Sequence, residues 1–323
     1  MIEIDGSHGE GGGQIIRTSL TLSAITQKPV TISNIRAKRP NPGLQMQHLT
    51  CAKAVRSICR GTLEDAELKS TKLIFHPGEI VGGKYEFNIG TAGSVTLVAQ
   101  TIIPILLQSE KKSNVRIIGG THVMKSPGYD YFEKVFVPAI HKFGVKIETR
   151  MLKTGYYPKG GGMIEFEIEP SELYGCTDWP QEDKIKAIIR IAGLPMDITV
   201  REKKIFVQED ICDVFIRQDE TLSVGNAVTA WNGYRGSYVL GEKGKRAEVV
   251  AQESLDELKK ETKDVDKHLA DQLLIYAALA KGESRFETYE ITEHFRTNTA
   301  IIGKFVERKI NYEEGRVIIN DRS

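Results

Sequence analysis

Cysteine is scarce in this chain, with four in 323 residues, at positions 51, 59, 176 and 212. They are scattered and form no C-x-x-C, which excludes a zinc ribbon or a thioredoxin-type redox pair. Lone thiols suit a reducing compartment, so a cytoplasmic location is expected. The segment Met1–Gly6 has neither the basic region nor the apolar stretch of a secretory signal. No stretch of about 18 consecutive apolar residues occurs. The longest apolar region, Val95–Leu107, is interrupted by Gln100, Thr101 and Pro104. It reads as a buried helix, and no membrane partner is expected. An excess of charge is missing too, since 44 Lys+Arg against 43 Asp+Glu leave a net charge of +1. That excludes a protein held on nucleic acid by bulk charge, yet permits a local basic groove. Neither a Walker A pattern, nor G-x-G-x-x-G after a first strand, nor the K-x-D-G of nucleotidyl-transferring ligases is present.

What the chain has is a repeat in the order of its elements. Ile2–Asp5 alternates like a strand, a glycine-rich turn follows at Gly9–Gly13, and Gln14–Ile25 has helical spacing. Val30–Ile35 reads as a strand, Leu44–Ile58 as a helix, and Thr62–Leu68 with Lys72–Phe75 as a hairpin. The order recurs as strand Tyr85–Ile89, turn Gly90–Ser94, helix Val95–Leu107, strand Asn114–Ile118, helix Tyr129–Phe143 and hairpin Val145–Arg150 with Met163–Ile168. A third copy shows as helix Leu269–Ala280, strand Ser284–Tyr289, helix Phe295–Val306 and the pair Lys309–Tyr312 with Arg316–Ile319. Its opening strand is separated from the rest by about 80 residues, which end in a charged helix, Ala247–Lys263. That helix reads as a solvated surface. The expected fold is α/β (α+β): three β-α-β-α-β-β units built from residues 1–183 and 263–323, with a smaller α/β domain inserted at 184–262.

Five segments carry candidate chemistry. Glycines before a helix at Gly9–Gly13 let backbone N–H groups approach an anion, and the helix N-terminus adds partial positive charge. Glu10 in that turn suits a divalent cation bridging phosphates, and Arg17, one turn into the helix, suits a phosphate oxygen. Arg36, Lys38 and Arg39 form a basic loop held off helix and strand by Pro40 and Pro42, with Gln47 and His48 following. Gln100 is an amide inside an apolar helix and needs a partner, either structural or a ligand edge. Asp271 and Gln272 head another apolar helix, where the dipole alone favours the acid. His294 sits in a first helical turn behind Thr292, where the positive helix end favours the neutral imidazole that a nucleophile requires.

Taken together, these segments resemble the RNA 3′-terminal phosphate cyclase family over nearly the whole chain, most closely its archaeal and bacterial members. The resemblance rests on E-G-G-G-Q-x-x-R at Glu10–Arg17 and R-A-x-R-x-x-P-G-L-x-x-Q-H at Arg36–His48. Gly90–Gln100, P-K-G-G-G at Pro158–Gly162, G-E-K-G-K-R-A-E at Gly241–Glu248, L-A-D-Q at Leu269–Gln272 and H-x-x-T-N at His294–Asn298 complete it. It implies a pseudo-threefold arrangement of the units and an ATP-dependent reaction. A histidine takes AMP from ATP, AMP passes to an RNA 3′-phosphate, and the vicinal 2′-OH closes a 2′,3′-cyclic phosphate. By position His294 matches the nucleophile. Glu10 matches a ligand of Mg²⁺ or Mn²⁺. Arg17, Gln100, Pro127, His268, Leu269, Ala270, Asp271 and Gln272 match the nucleotide site. Arg36, Arg39, Gln47 and His48 match positions holding ATP phosphates or the RNA end. Pro127 and His268 are expected on the adenine faces, although the family often has tyrosine where this chain has His268. The expected partner is an RNA with a 3′-terminal phosphate; the sequence carries no signal of oligomeric state. The alternative is a non-catalytic cyclase-like RNA-binding factor of ribosome biogenesis, which lacks the histidine. An enolpyruvyl transferase would share the architecture, but the motifs do not fit it.

Overall fold

A computed structural model describes residues 1–320 of the chain. The first unit runs β1 (Ile2–Asp5), α1 (Gly13–Thr26), β2 (Val30–Ser33), α2 (Met46–Ile58), β3 (Thr62–Glu64) and β4 (Leu73–His76). Its sheet has the order β1-β2-β4-β3, with β1 parallel to β2 and the remaining pairs antiparallel. The second unit runs β5 (Lys84–Asn88), α3 (Val95–Leu106), β6 (Ser113–Gly119), a helical stretch, β7 (Lys146–Lys153) and β8 (Gly162–Glu169). That stretch comprises α4 (Tyr129–Tyr131), a π-helical turn (Phe132–Phe136) and α5 (Val137–His141). The sheet order β5-β6-β8-β7 repeats that of the first unit strand for strand.

Residues 186–260 form a sheet of their own from β9 (Lys186–Ala192), β10 (Val214–Gln218), β11 (Gly225–Asn232) and β12 (Arg235–Leu240), in the order β10-β9-β11-β12. Helices α6 (Asp197–Gln208) and α7 (Ala247–Lys260) pack on it and on each other. Their apolar residues, with those of the sheet, make a core separate from the main one. Helix α7 departs from the solvated helix expected. It ends at Lys260, and Val250, Ala251, Leu255 and Leu258 are buried against β11 and β12. Spaced at i, i+1, i+5 and i+8, they form one apolar stripe that the charges of the opposite face obscure in the sequence.

The third unit follows as α8 (Lys267–Leu279), β13 (Ser284–Glu287), α9 (Glu293–Phe305), β14 (Ile310–Glu313) and β15 (Arg316–Ile319), with sheet order β13-β15-β14. Its opening strand is split rather than lost. Leu173 and Gly175 pair with Lys281, and Cys176 accepts from Arg285 N, along the edge where β1 and β5 lie in the other units. Val265 then resumes the same edge beside Thr288, parallel to it. The inserted residues therefore leave and re-enter the fold within one strand, whose two ends are held by neighbouring positions of β13.

The first helix of each unit packs on the second helix of the preceding one: α3 on α2, α8 on the α4–α5 stretch, and α1 back on α9. The contacts close a ring, and one continuous core runs through all three units. Ring closure matters for function because it brings the start of unit 1 against unit 3, some 280 residues apart, as in the 2.7 Å bond from Thr18 Oγ1 to Asn298 Oδ1.

A buried charge cluster clamps the inserted sheet to unit 2. Arg190 on β9 forks onto Asp130, with Nε 2.6 Å from Oδ2 and the second terminal nitrogen 2.9 Å from Oδ1. His122 Nε2 lies 3.0 Å from the same carboxylate, and Asp219 takes the remaining guanidinium edge. Burial alone would raise Asp130, but His122 and Arg190 outweigh it and hold the carboxyl well below its usual range. Its share of the stability is therefore present above the unfolded carboxylate pKa and is lost as the pH falls. Replacing Asp130 with alanine leaves the buried guanidinium and His122 without their shared carboxylate, with Asp219 alone on Arg190, and lowers stability by about 3 kcal/mol. Urea unfolding measures this, and a loss below about 1 kcal/mol would show that the clamp holds nothing.

Candidate active site

The glycine turn that follows β1 meets the head of α9. Helix α1 starts after a glycine turn in which Gly9 (φ 50) and Gly11 (φ 58) take left-handed backbone that other residues resist. Its N-cap is Gly12, with no side-chain cap and no acid in the first turn. By contrast Ser94 caps α3, Asp266 caps α8 and Thr292 caps α9. The head of α1 thus keeps N–H groups that an anion can take.

Three side chains surround that head. Arg17 is buried, and among the described residues no carboxylate is in ion-pair contact with it. Burial lowers its pKa, against the attraction of Cys51, Asp271 and Glu10, so the cation lies in a setting that favours an incoming anion. His48, expected to hold phosphate or the RNA end, lies here as a neutral ring. Burial, then Arg17 and Arg36, push its pKa down to about 3, so the ring is neutral. Its Nδ1 accepts from Gln45 N at 3.1 Å, which places the ring proton on Nε2. That Nε2–H faces Gly13, where an added Cβ would stand 2.3 Å from it and 3.2 Å from an Arg17 nitrogen. Position 13 therefore needs glycine for room. Gly13→Ala should weaken anion binding at the head of α1 at least about tenfold while leaving the melting temperature within a few degrees. Calorimetric titration with inorganic pyrophosphate checks it, and unchanged affinity would move the anion elsewhere. The third side chain, Arg39, donates to Glu10 Oε1 at 2.6 Å.

Across the turn lies His294, in the first turn of α9 behind its Thr292 cap. Nδ1 is 2.5 Å from Asp271 Oδ2, and Nε2 is 3.9 Å from Glu10 Oε2. Asp271 is buried, and its other oxygen has no hydrogen-bond partner among the described residues. The helix dipole suggested a lowered imidazole pKa. The structure gives the opposite direction: burial lowers it, but Asp271 outweighs burial and leaves it raised. The carboxylate thus fixes the tautomer with Nδ1–H and turns the Nε2 lone pair toward Glu10 and Arg17, the arrangement of an oriented nucleophile.

The remaining candidates divide. Gln100 Nε2 donates to Gln272 Oε1 at 2.6 Å, joining α3 to α8 on the wall of a cavity of about 40 Å³ that Arg17 also lines. One turn earlier on each helix, Thr96 donates to the Pro127 carbonyl, and His268 is exposed, so both stand toward the same end as the glutamine pair. Leu269 and Ala270 are fully buried in the main core and offer a ligand no side-chain surface. Arg36 is turned into its own loop, donating to the carbonyls of Asn41 and Gly43. Gln47 accepts from Ser94 N at 2.8 Å and ties α2 to the turn before α3. For a metal, Glu10 is the carboxylate in the glycine turn, and no group of three or more His, Cys, Asp or Glu that could hold an ion exists among the described residues.

Sequence reasoning gave no role to Gln14, Thr18, Thr297 and Asn298. Thr297 Oγ1 accepts from Glu10 N, and Asn298 Nδ2 donates to the Asp271 carbonyl. Thr18 donates to Asn298 Oδ1, and Gln14 Oε1 accepts from Arg17. The signal was available: residues 14, 17, 18 and 21 fall on one face of α1 at i, i+3, i+4 and i+7, and 294, 297 and 298 on one face of α9 at i, i+3 and i+4.

Comparison with known proteins fits this geometry. The family model described as RNA 3′-terminal phosphate cyclase matches residues 8–312. The chain belongs to that family. Among its relatives is the RNA 3′-terminal phosphate cyclase of Archaeoglobus fulgidus, 40% identical over 327 residues, covering 99% of this chain and 100% of that one. The proteins of the same name from Sulfurisphaera tokodaii, 43% identical with 95% and 94% covered, and Nitrosospira multiformis, 40% identical with 95% and 92% covered, are similar to it as well. Among solved structures the chain is similar to the enolpyruvyl transferase NikO from Streptomyces tendae, at TM-score 0.44 and 10% identity, over 99% of this chain and 48% of that one. A likeness at that level says nothing of activity. Among the described residues no helix is long and apolar enough to cross a membrane.

Proposed function

We propose that this member of the cyclase family converts an RNA 3′-terminal phosphate into a 2′,3′-cyclic phosphodiester at the expense of ATP, in the cytoplasm. The observation that carries the reading is the His294 ring, held at Nδ1 by buried Asp271 with Nε2 open toward the uncapped head of α1. Nε2 attacks the α-phosphorus of ATP, the bond to the pyrophosphate oxygen breaks, and a histidine–AMP phosphoramidate forms while Asp271 keeps the Nδ1 proton. An oxygen of the RNA 3′-phosphate displaces the imidazole and takes the AMP. The vicinal 2′-OH then attacks the 3′-phosphorus and AMP leaves. Arg17, Arg39, the His48 Nε2–H and the α1 amides neutralise the phosphate charge as it shifts. Gln100, Gln272, Pro127 and His268 surround the base.

Glu10 offers one carboxylate, which suits an Mg²⁺ or Mn²⁺ ion that arrives on the triphosphate and keeps phosphate and water ligands. When bound, such an ion supplies charge neutralisation at the phosphates. Residues 184–262 are read as a second domain inserted in the first.

The test uses a 3′-phosphorylated oligoribonucleotide with ATP and Mg²⁺ or Mn²⁺. The expected product resists phosphatase, with one AMP and one pyrophosphate released per end. RNA that stays phosphatase-sensitive, from protein that binds it without taking up AMP, would replace this reading with that of a binding factor.

A further inference from the structure

The repeat places three loop clusters at equivalent strand ends, and their charges differ. In unit 1 the matching segments 6–12, 34–45 and 65–72 mix both signs, with Glu10, Asp65 and Glu67 beside Arg36, Lys38, Arg39, Lys69 and Lys72. In unit 3 the matching segments 288–293 and 313–315 carry Glu290, Glu293, Glu313 and Glu314 and no lysine or arginine. In unit 2 they are 89–94, 120–128 and 153–161, with Lys125, Lys153 and Lys159.

 No aspartate or glutamate occurs in any of these three unit 2 segments.

The unit 2 segments are locked together. Thr121 N and His122 N donate to the Gly155 carbonyl, and Gly120 N donates to the Gly93 carbonyl. Gly160 (φ 66) packs so closely that an added Cβ would stand 2.9 Å from Ala92 Cα, and Lys159 N donates to Ser223 Oγ of the inserted segment. The glycines of P-K-G-G-G are thus explained by close approach, and the loop they build is rigid. It presents Tyr157, 75% exposed, between exposed Lys153 and Lys159, and none of the three lysines has an ion pair among the described residues. An exposed aromatic ring on a rigid, acid-free, lysine-bearing edge has the chemistry of a single-stranded nucleic-acid platform, where bases stack and cations follow the backbone. The edge also adjoins the candidate site, because Gln47 and His48 are consecutive: the first holds the Gly93–Ser94 turn and the second faces Gly13.

Resting on the function proposed above, we infer that Tyr157, Lys125, Lys153 and Lys159 carry the RNA body upstream of the reacting 3′ end as a single strand. Unit 1 and unit 3 then act on the terminus while unit 2 holds what precedes it.

The test measures binding of a 3′-phosphorylated 12-nucleotide RNA and of a dinucleotide by fluorescence anisotropy at several salt concentrations, beside AMP uptake without RNA. The triple variant K125Q/K153Q/K159Q should bind the long RNA with a salt slope shallower by about 2, given about 0.7 per contact on a single strand. Tyr157→Ala should weaken the long RNA about tenfold, and Tyr157→Phe should restore it. Dinucleotide affinity and AMP uptake should stay at wild-type values. Wild-type affinity and slope for the long RNA in these variants would overturn the platform with the enzyme intact, as would an equal loss for the dinucleotide. Wild-type protein that takes up no AMP would instead overturn the function beneath it, and the platform with it.

Discussion

Replacing His294 by alanine should abolish uptake of labelled AMP from ATP, by at least about 10⁴-fold, with the fold intact. The imidazole lies at the head of α9, where the Thr292 cap and buried Phe295 hold the helix without it. Its loss removes the proposed nucleophile and the partner of Asp271, and nothing that packs the core. The wild-type label should survive denaturation and alkali and be lost in acid, as a phosphoramidate is, and RNA with a 3′-phosphate should discharge it. Equal labelling of His294→Ala protein would keep a nucleotidyl transferase but move the nucleophile to another residue.

Asp271→Asn should lower the rate of AMP uptake by about 10²–10⁴-fold. Asp271 both orients the ring through the 2.5 Å contact to Nδ1 and raises the imidazole pKa. The two effects separate in a pH profile. Attack needs the neutral ring, so the wild-type rate rises with pH as His294 loses its proton, with a midpoint above the ordinary imidazole value. Without the carboxylate charge the midpoint moves to lower pH, while the plateau falls because Nδ1–H is no longer held and the tautomer is free. A lower plateau with an unmoved midpoint would mean that Asp271 acts only through packing. A full plateau would remove it from the reaction.

Several site residues were legible one at a time and misleading in their setting. His48 follows a basic loop and read either as a cleft residue or as a helix cap; it closes the capping box of α2 as a neutral ring, because burial and two arginines outweigh any gain from charging it. Arg36 matched a phosphate-binding position and instead ties its loop together through carbonyls. For His294 the local helix end predicted one direction of pKa shift and a carboxylate 23 residues away imposed the other. In each case the deciding neighbour is remote in sequence, where spacing rules have no reach.

By itself the sequence determined the order of elements, because the periodicity of apolar residues and the glycine and proline breaks are local properties. It also determined the repeat, the separated opening strand of unit 3 and the chemical types gathered in the motifs. Only the tertiary structure decided which of those types meet. Ring closure of the three units sets α1 against α8 and α9, and so joins Glu10 and Arg17 to Asp271 and His294. That closure depends on helix faces packing across units, where the free energy comes from burying whole surfaces rather than from any one motif.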